Sequence, residues 1–176
     1  MMISQIKTLE RSDVLPLIKI RPMLLDDIDQ VKTIDQTSFS LPWPEHAYYY
    51  ELTENPNALL WVAEAIFSGG ERLIVGMTLV WLILDEAHIA TLAVLSDYRR
   101  IGIAKQLLAV ALNVSKSKGA NQALLEVRAS NQPALMLYRN FGFDMVGRRP
   151  RYYKDNNEDA ILMTASLFNL EVNCET

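Results

Sequence analysis

The stretch that decides the fold runs His88-Ile89-Ala90-Thr91-Leu92-Ala93-Val94, then Arg99-Arg100-Ile101-Gly102-Ile103-Ala104, then an apolar helical pattern to Lys118. The first part is an apolar run of the length of a buried strand. The second sets two basic residues and one glycine at the mouth of a helix. Glycine lets the backbone turn sharply so that successive N–H groups converge, and the helix N-terminus adds partial positive charge. Arg99 and Arg100 carry guanidinium groups that can pair phosphate oxygens. The whole is an anion cradle. By itself the same stretch also reads as a helix start with solvated arginines.

Working outward, Gly119 is the expected left-handed residue ending the helix from Gly102 to Lys118. Gln122–Arg128 is a strand that alternates little, as a central strand does. Asn131 caps a further helix with Pro133 in its first turn, ending at Gly142. Phe143–Tyr153 and Ala160–Leu167 complete the sheet as an antiparallel pair. On the other side, Ala58–Ile66 and Arg72–Leu84 form a hairpin across Ser68-Gly69-Gly70-Glu71, and Asp85-Glu86 turns the chain into His88–Leu95. Leu15–Arg21 has strand character. Asp26 reads as the N-cap of a helix with Ile28, Val31 and Ile34 on one face, and Pro44 opens a second short helix through Thr53. This order gives an α/β protein, a mixed sheet with helices on both faces.

With 176 residues the chain has the length of one domain, here residues 15–167, with a flexible N-terminal extension over 1–14 and a tail over 168–176. The formal net charge of −4 speaks against general nucleic-acid binding, which needs a basic face. A single cysteine, Cys174, rules out a disulfide framework, and two histidines without clustered spacing give a metal site no support. No signal peptide and no apolar run near ~20 residues stand in the sequence, so a cytoplasmic protein without a membrane segment is expected.

The unit Leu92-Ala93-Val94 … Arg99-Arg100-Ile101-Gly102-Ile103-Ala104 resembles the acetyl-CoA-binding motif of the GNAT acyltransferase superfamily. Leu125-Glu126-Val127-Arg128-Ala129-Ser130-Asn131 … Leu137-Tyr138 … Phe141-Gly142-Phe143 is similar to its second motif. Phe39 with Pro42-Trp43, Asp85-Glu86-Ala87-His88-Ile89, Arg151-Tyr152-Tyr153 and Glu158-Asp159-Ala160 resemble the RimI-type protein N-terminal acetyltransferases. The likeness covers roughly residues 18–167. It implies a GNAT fold: a mostly antiparallel sheet of six to seven strands, with a V-shaped splay between two parallel strands.

The resemblance implies that acetyl-CoA is the co-substrate, with its pyrophosphate on the N–H groups of about Arg100–Ala104. Ala104 stands where many relatives carry glycine, and its methyl is small enough for that approach. The pantetheine arm then pairs along Leu92, Ala93 and Val94, and the Val94 N–H is the candidate oxyanion donor. Glu126, in an apolar strand, is the general base in this reading; a structural partner such as Arg128 is the alternative. Tyr138 faces the sulfur and hydrogen-bonds the leaving thiolate, or else simply packs its helix. Asn131 caps its helix and reaches the pantetheine. Phe39, Trp43, Tyr152 and Tyr153 line the acceptor groove, although Trp43 serves equally as a core plug. His88 is a strand residue, and Arg151 a solvated one on the groove rim.

The implied function is transfer of the acetyl group to a protein N-terminal α-amine, that of the N-terminal alanine of a small-subunit ribosomal protein, by direct attack in a ternary complex. Other protein N-termini, lysine side chains or a small amine are alternative acceptors. A CoA-binding sensor without turnover is the reading from another class, and Glu126 with Tyr138 speaks against it.

Overall fold

The computed structural model of the protein describes residues 15–168; the expectations for residues 1–14 and for the tail with Cys174 lie outside the described residues. Its strands are β1 (Leu17–Pro22), β2 (Ala58–Ile66), β3 (Arg72–Ile83), β4 (Glu86–Val94), β5 (Gln122–Arg128), β6 (Asp144–Tyr153) and β7 (Glu158–Ser166). Its helices are α1 (Ile28–Ser38), α2 (Ala47–Thr53), α3 (Ile103–Ser117) and α4 (Gln132–Asn140). The strands make one sheet in the order β1-β2-β3-β4-β5-β7-β6. Every neighbouring pair is antiparallel except β4 with β5, the parallel pair that α3 connects.

Side-chain alternation divides the core between two faces. Val31 and Ile34 of α1 and Tyr48 of α2 pack on Leu60, Val62, Ile74, Met77 and Leu79. Leu108, Ala111 and Leu112 of α3 and Leu135 of α4 pack on Val80, Ala87, Ile89, Leu125 and Val127. Leu79 and Val80 are adjacent in β3 yet belong to different clusters, as a period of two requires. Burying each leucine-sized side chain of α3 contributes roughly 1.5–3 kcal/mol.

One glycine sets how closely α3 lies on the sheet. A Cβ on Gly76 of β3 would stand 3.1 Å from Leu107 Cδ1 and 3.2 Å from both Ala93 O and Ile103 Cγ2. The start of α3, and the loop before it, can approach the end of β4 only because that side chain is missing. Gly76 has no place in the motif reading; its signal was a lone glycine inside an apolar strand.

The splay has a local cause. β4 pairs with β5 only from Glu86↔Gln122 to Ile89↔Leu125. Against β3, Leu79 faces Thr91 while Val80 faces Ile89, so Ala90 is an extra, unpaired residue. A bulge bends its strand. The parallel ladder ends where the bulge sits, and the rest of β4 follows β3 away from β5.

Several boundaries move from the expected ones. It is Asp27, not Asp26, that organises the start of α1, by accepting the Leu24 N–H at 2.7 Å and pairing Arg21 at 2.7 Å. α2 begins at Ala47 because Pro44 O accepts the Ala47 N–H in a separate turn first. The β3–β4 turn is Leu84-Asp85, with Leu84 at φ +56°, and Glu86 is already in the strand. β6 starts at Asp144 and is exposed along most of its length. β5 lies inside the sheet between β4 and β7, the central position expected, but it alternates strictly between half-buried and buried residues, which corrects the expected weak alternation.

Candidate active site

The cradle is a main-chain structure. Arg100 at φ +69° and Gly102 at φ +89° both occupy the left-handed region, which turns the loop sharply into α3. Gly102 is the N-cap of α3 and contributes no side chain, so the first-turn N–H groups have no capping partner. A Cβ built on Gly102 meets nothing within 4 Å, which leaves open space in front of those groups. Ile103 is buried beneath, and Ile101 is half exposed. Arg99 departs from the simple phosphate reading: its Nε donates to Val94 O at 2.9 Å, tying the cradle to the end of β4.

The end of β4 offers main-chain groups to the splay. Leu95 N–H donates to Val75 O at 2.8 Å, and Val94 is the Cα partner of Gly76. Antiparallel alternation then makes Gly76–Val94 a pair without mutual hydrogen bonds, and likewise Thr78–Leu92. The N–H of Val94 and the polar groups of Leu92 therefore point away from β3, into the gap. Ala93 is turned the other way, its carbonyl toward β3.

Across the gap, Glu126 lies on the half-open face of β5 together with Leu124 and Arg128. Its partner is not Arg128. Arg149 Nη1 stands 2.9 Å from Glu126 Oε1, and the nearby Glu126 carboxylate holds the Tyr152 phenol above its ordinary range, with burial adding to the effect. The Arg149 guanidinium also lies 5.5 Å from the Tyr152 ring centroid. Arg128 instead binds Asp155 at 2.8 Å, Ser40 at 3.0 Å and Asn156 at 3.2 Å, and lies 3.9 Å over the Tyr153 ring. It ties the segment after α1 to the β6–β7 turn.

Tyr138 comes from the other face. It is buried in the α3–α4 cluster, its ring 5.8 Å from that of Phe143. Burial pushes its hydroxyl well above the ordinary phenol range, and nearby Tyr153 adds to the shift. The group keeps its proton at neutral pH and is a donor. Tyr153 is pushed up to about 12, chiefly by burial, with Arg128 opposing. Tyr152 and Tyr153 meet edge to face at 5.2 Å.

Glu126, Arg149, Tyr152 and Tyr153 are thus brought together past the end of the parallel ladder, and Tyr138 lies on the other face, within electrostatic reach of Tyr153. Phe39 follows α1 at its C-terminal end, beside Ser40, and is partly exposed. Trp43 sits apart, stacked on Tyr48 at 5.6 Å and tilted against Trp81 at 5.7 Å, so its ring is a packing element between α2 and the sheet. Asn131 accepts the Ala134 N–H at 3.2 Å, the capping bond its position requires. His88 pairs with Glu86 at 2.8 Å on the paired part of β4. Sequence reasoning missed Arg149, whose arginine-rich surroundings gave it no distinguishing signal, and the connecting role of Arg128.

The sequence matches the acetyltransferase (GNAT) family over residues 28–143, more than half of the chain. The chain belongs to that family. It is 38% identical to a putative ribosomal protein bS18-alanine N-acetyltransferase of Bacillus subtilis (strain 168), over 84% of this chain and 95% of the relative. The crystal structure of the ribosomal-protein-S18-alanine N-acetyltransferase of Escherichia coli superposes with a TM-score of 0.75 at 28% identity, covering 86% of this chain and 94% of that one. That of the NatC complex bound to Gag peptide and CoA gives a TM-score of 0.75 at 26% identity, over 85% and 98%. The GNAT fold expected from the two motifs is the fold observed. Acetyl-CoA, the donor of this family, meets chemistry suited to it: uncapped N–H groups for an anion at Gly102–Ala104, and a strand edge at Leu92–Val94 for its amide-bearing arm.

Proposed function

We propose that the protein acetylates the N-terminal α-amine of a protein, with the N-terminal alanine of ribosomal protein bS18 as acceptor. The observation that carries the reading is a carboxylate and a protonated phenol set on the two faces of the sheet: Glu126 on the half-open face of β5, Tyr138 buried on the other. An acceptor reaching the open face meets Glu126, Tyr152 and Tyr153, and the Arg128-bound segment carrying Ser40 and Phe39 borders the same approach. The identity with the B. subtilis relative over nearly the full length of both chains supports the choice of acceptor.

An α-amine has a reference pKa of about 7.7–8.0, so near neutral pH a sizeable minority is already unprotonated. Glu126 has only to receive the proton, through water, as the nitrogen attacks the thioester carbonyl. The N–C bond forms and the C–S bond breaks. The Val94 N–H donates to the carbonyl oxygen as charge develops on it. Tyr138 donates a hydrogen bond to the departing thiolate, which is a weaker base than phenolate and needs no full proton transfer. Arg100 and the N–H groups through Ala104 hold the pyrophosphate, and Asn131 contacts the pantetheine beyond its capping bond. The protein works in the cytoplasm; among the described residues no helix is long and apolar enough to cross a membrane.

A spectrophotometric CoA-release assay against a panel of N-terminal peptides, one of them beginning Ala-Arg, tests the reading. The Ala-Arg peptide is expected to react fastest. Faster reaction of free lysine ε-amines, or CoA binding with no acetylation of any α-amine, would overturn it.

A further inference from the structure

The Tyr152 ring centroid lies 5.5 Å from the Arg149 guanidinium that pairs Glu126, and β6 leaves the ladder immediately before Tyr152. Arg149 is the Cα partner of Ala160 and Tyr153 that of Glu158, so Pro150, Arg151 and Tyr152 on β6 face the single residue Asp159 on β7. Pro150 has no N–H to give to the ladder, which accounts for the break. Arg151 then adopts φ +51°, a left-handed conformation that is uncommon for a residue with a side chain. Asp159 supports it. Its Oδ1 accepts the Arg151 N–H at 2.7 Å and its Oδ2 accepts Arg148 Nε at 2.6 Å. Its own carbonyl accepts the Ala129 N–H at 3.1 Å, fixing the clamp to the end of β5, three residues beyond Glu126.

We infer that Asp159 is a positioning residue for the acceptor end: by holding the β6 excursion at Arg151, it seats the Tyr152 side chain beside Arg149, the ion-pair partner of Glu126. The inference rests on the reading of Glu126 as the base. Asp159 touches neither substrate in this account and acts through the backbone of its neighbour. The Arg151 N–H bond is also the main cause holding the Asp159 carboxyl below the usual range, which agrees with a strong interaction.

The test compares Asp159→Ala, Asp159→Asn and the double variant Asp159→Ala/Arg151→Gly. The first readout needs no activity. Ultraviolet pH titration of the wild type minus Tyr152→Phe, and of Asp159→Ala minus its own Tyr152→Phe counterpart, isolates the Tyr152 phenol. Glu126, Arg149 and the Tyr153 ring face that phenol, and all three are kept in each pair. Tyr152 is expected to titrate lower in Asp159→Ala, toward an ordinary phenol. The second readout is kinetic. Asp159→Ala should lower kcat/KM for the acceptor peptide by at least about tenfold, because displacements of an ångström at a reacting pair have effects of that size or larger. KM for acetyl-CoA should stay within about twofold. Asp159→Asn keeps an acceptor for the Arg151 N–H, and glycine at 151 takes the positive φ unaided; both should recover most of the loss. An unchanged Tyr152 titration, an equal loss of acetyl-CoA binding, or no recovery in the double variant would overturn the inference. If the wild type acetylates no α-amine, the proposed function falls, while the titration still decides what Asp159 holds in place.

Discussion

In the cradle the groups offered to a ligand are main-chain N–H groups, set by two residues at positive φ and by the missing side chain of Gly76. Around Glu126 they are side chains, delivered by β5, β6, the segment after α1 and the β6–β7 turn. The first end is fixed by one strand–turn–helix unit and tolerates variety in its side chains. The second depends on contacts between residues far apart in the chain, such as Ser40 with Arg128, and is the end to which the proposed function assigns acceptor preference. Substitutions should therefore separate the two ends: backbone changes on one side, side-chain changes on the other.

The largest expected effect is on the donor end. Gly76→Val places a Cβ at 3.1–3.2 Å from Leu107, Ala93 O and Ile103, with two further methyls to house. Overpacking of this kind, with a backbone carbonyl among the atoms that must move, should destabilise by about 3 kcal/mol. For a domain of this size that is a fall in Tm of roughly 6–12 °C in a thermal melt. An unchanged Tm would mean that α3 does not rest on Gly76. Next comes Glu126→Gln, expected to lower kcat by about 10²-fold, with KM for acetyl-CoA changed less than twofold. Tyr138→Phe should follow the same pattern with a smaller loss, about tenfold. Rates unaffected by either change would return these side chains to structural roles.

The same contrast explains what could be read in the chain before its structure was known. Arg99–Ala104 and the apolar runs around it are contiguous, and a strand, a glycine at positive φ and a helix leave local signatures. The sheet and the position of the cradle followed from them. Glu126 and Tyr138 could be proposed because they lie at fixed spacing in a second contiguous segment. What bound Glu126 was not legible: Arg149 and Arg128 are both arginines near an acidic residue, and only the β6 excursion decides which one turns toward it. Trp43 was equally ambiguous, since an aromatic between two prolines is as good a plug as a groove wall, and its contacts with Tyr48 and Trp81 can be seen only in the folded chain.

A milder change sharpens the donor side. Gly102→Ala forces an L-residue to φ +89°, though its methyl meets no protein atom. The strain should cost about 1 kcal/mol, and the methyl would stand in the space assigned to the pyrophosphate. KM for acetyl-CoA should rise about tenfold while KM for the peptide and kcat at saturation stay close to wild type. A rise in the peptide KM instead would show that the two ends are not separable.

The smallest effect at neutral pH, and the one that tests the acceptor end by stability alone, is the alkaline limb. Tyr153 is raised to about 12 by burial, and Tyr138 is raised further by the same cause. Both titrate in the unfolded chain near 10. A raised folded value means that the unfolded state loses its proton first, so the stabilisation is complete below about pH 10 and falls as pH climbs through the folded values. Urea midpoints measured from pH 8 to 11 should be flat up to about 10 and then decline. Tyr153→Phe removes one titrating group and should make that decline shallower while leaving the pH 8 midpoint nearly unchanged. Tyr98, beside the cradle, is raised as well, by burial and by Asp97; Tyr98→Phe should flatten the limb less, because that site is the more open of the two. Tyr48, raised by burial and by Asp35 in the α1–α2 core, supplies a background common to both variants. A limb equally steep in Tyr153→Phe and wild type would mean that Tyr153 is solvated rather than enclosed by Arg128 and Tyr152, and the acceptor end would then lack the packed floor against which Glu126 is held.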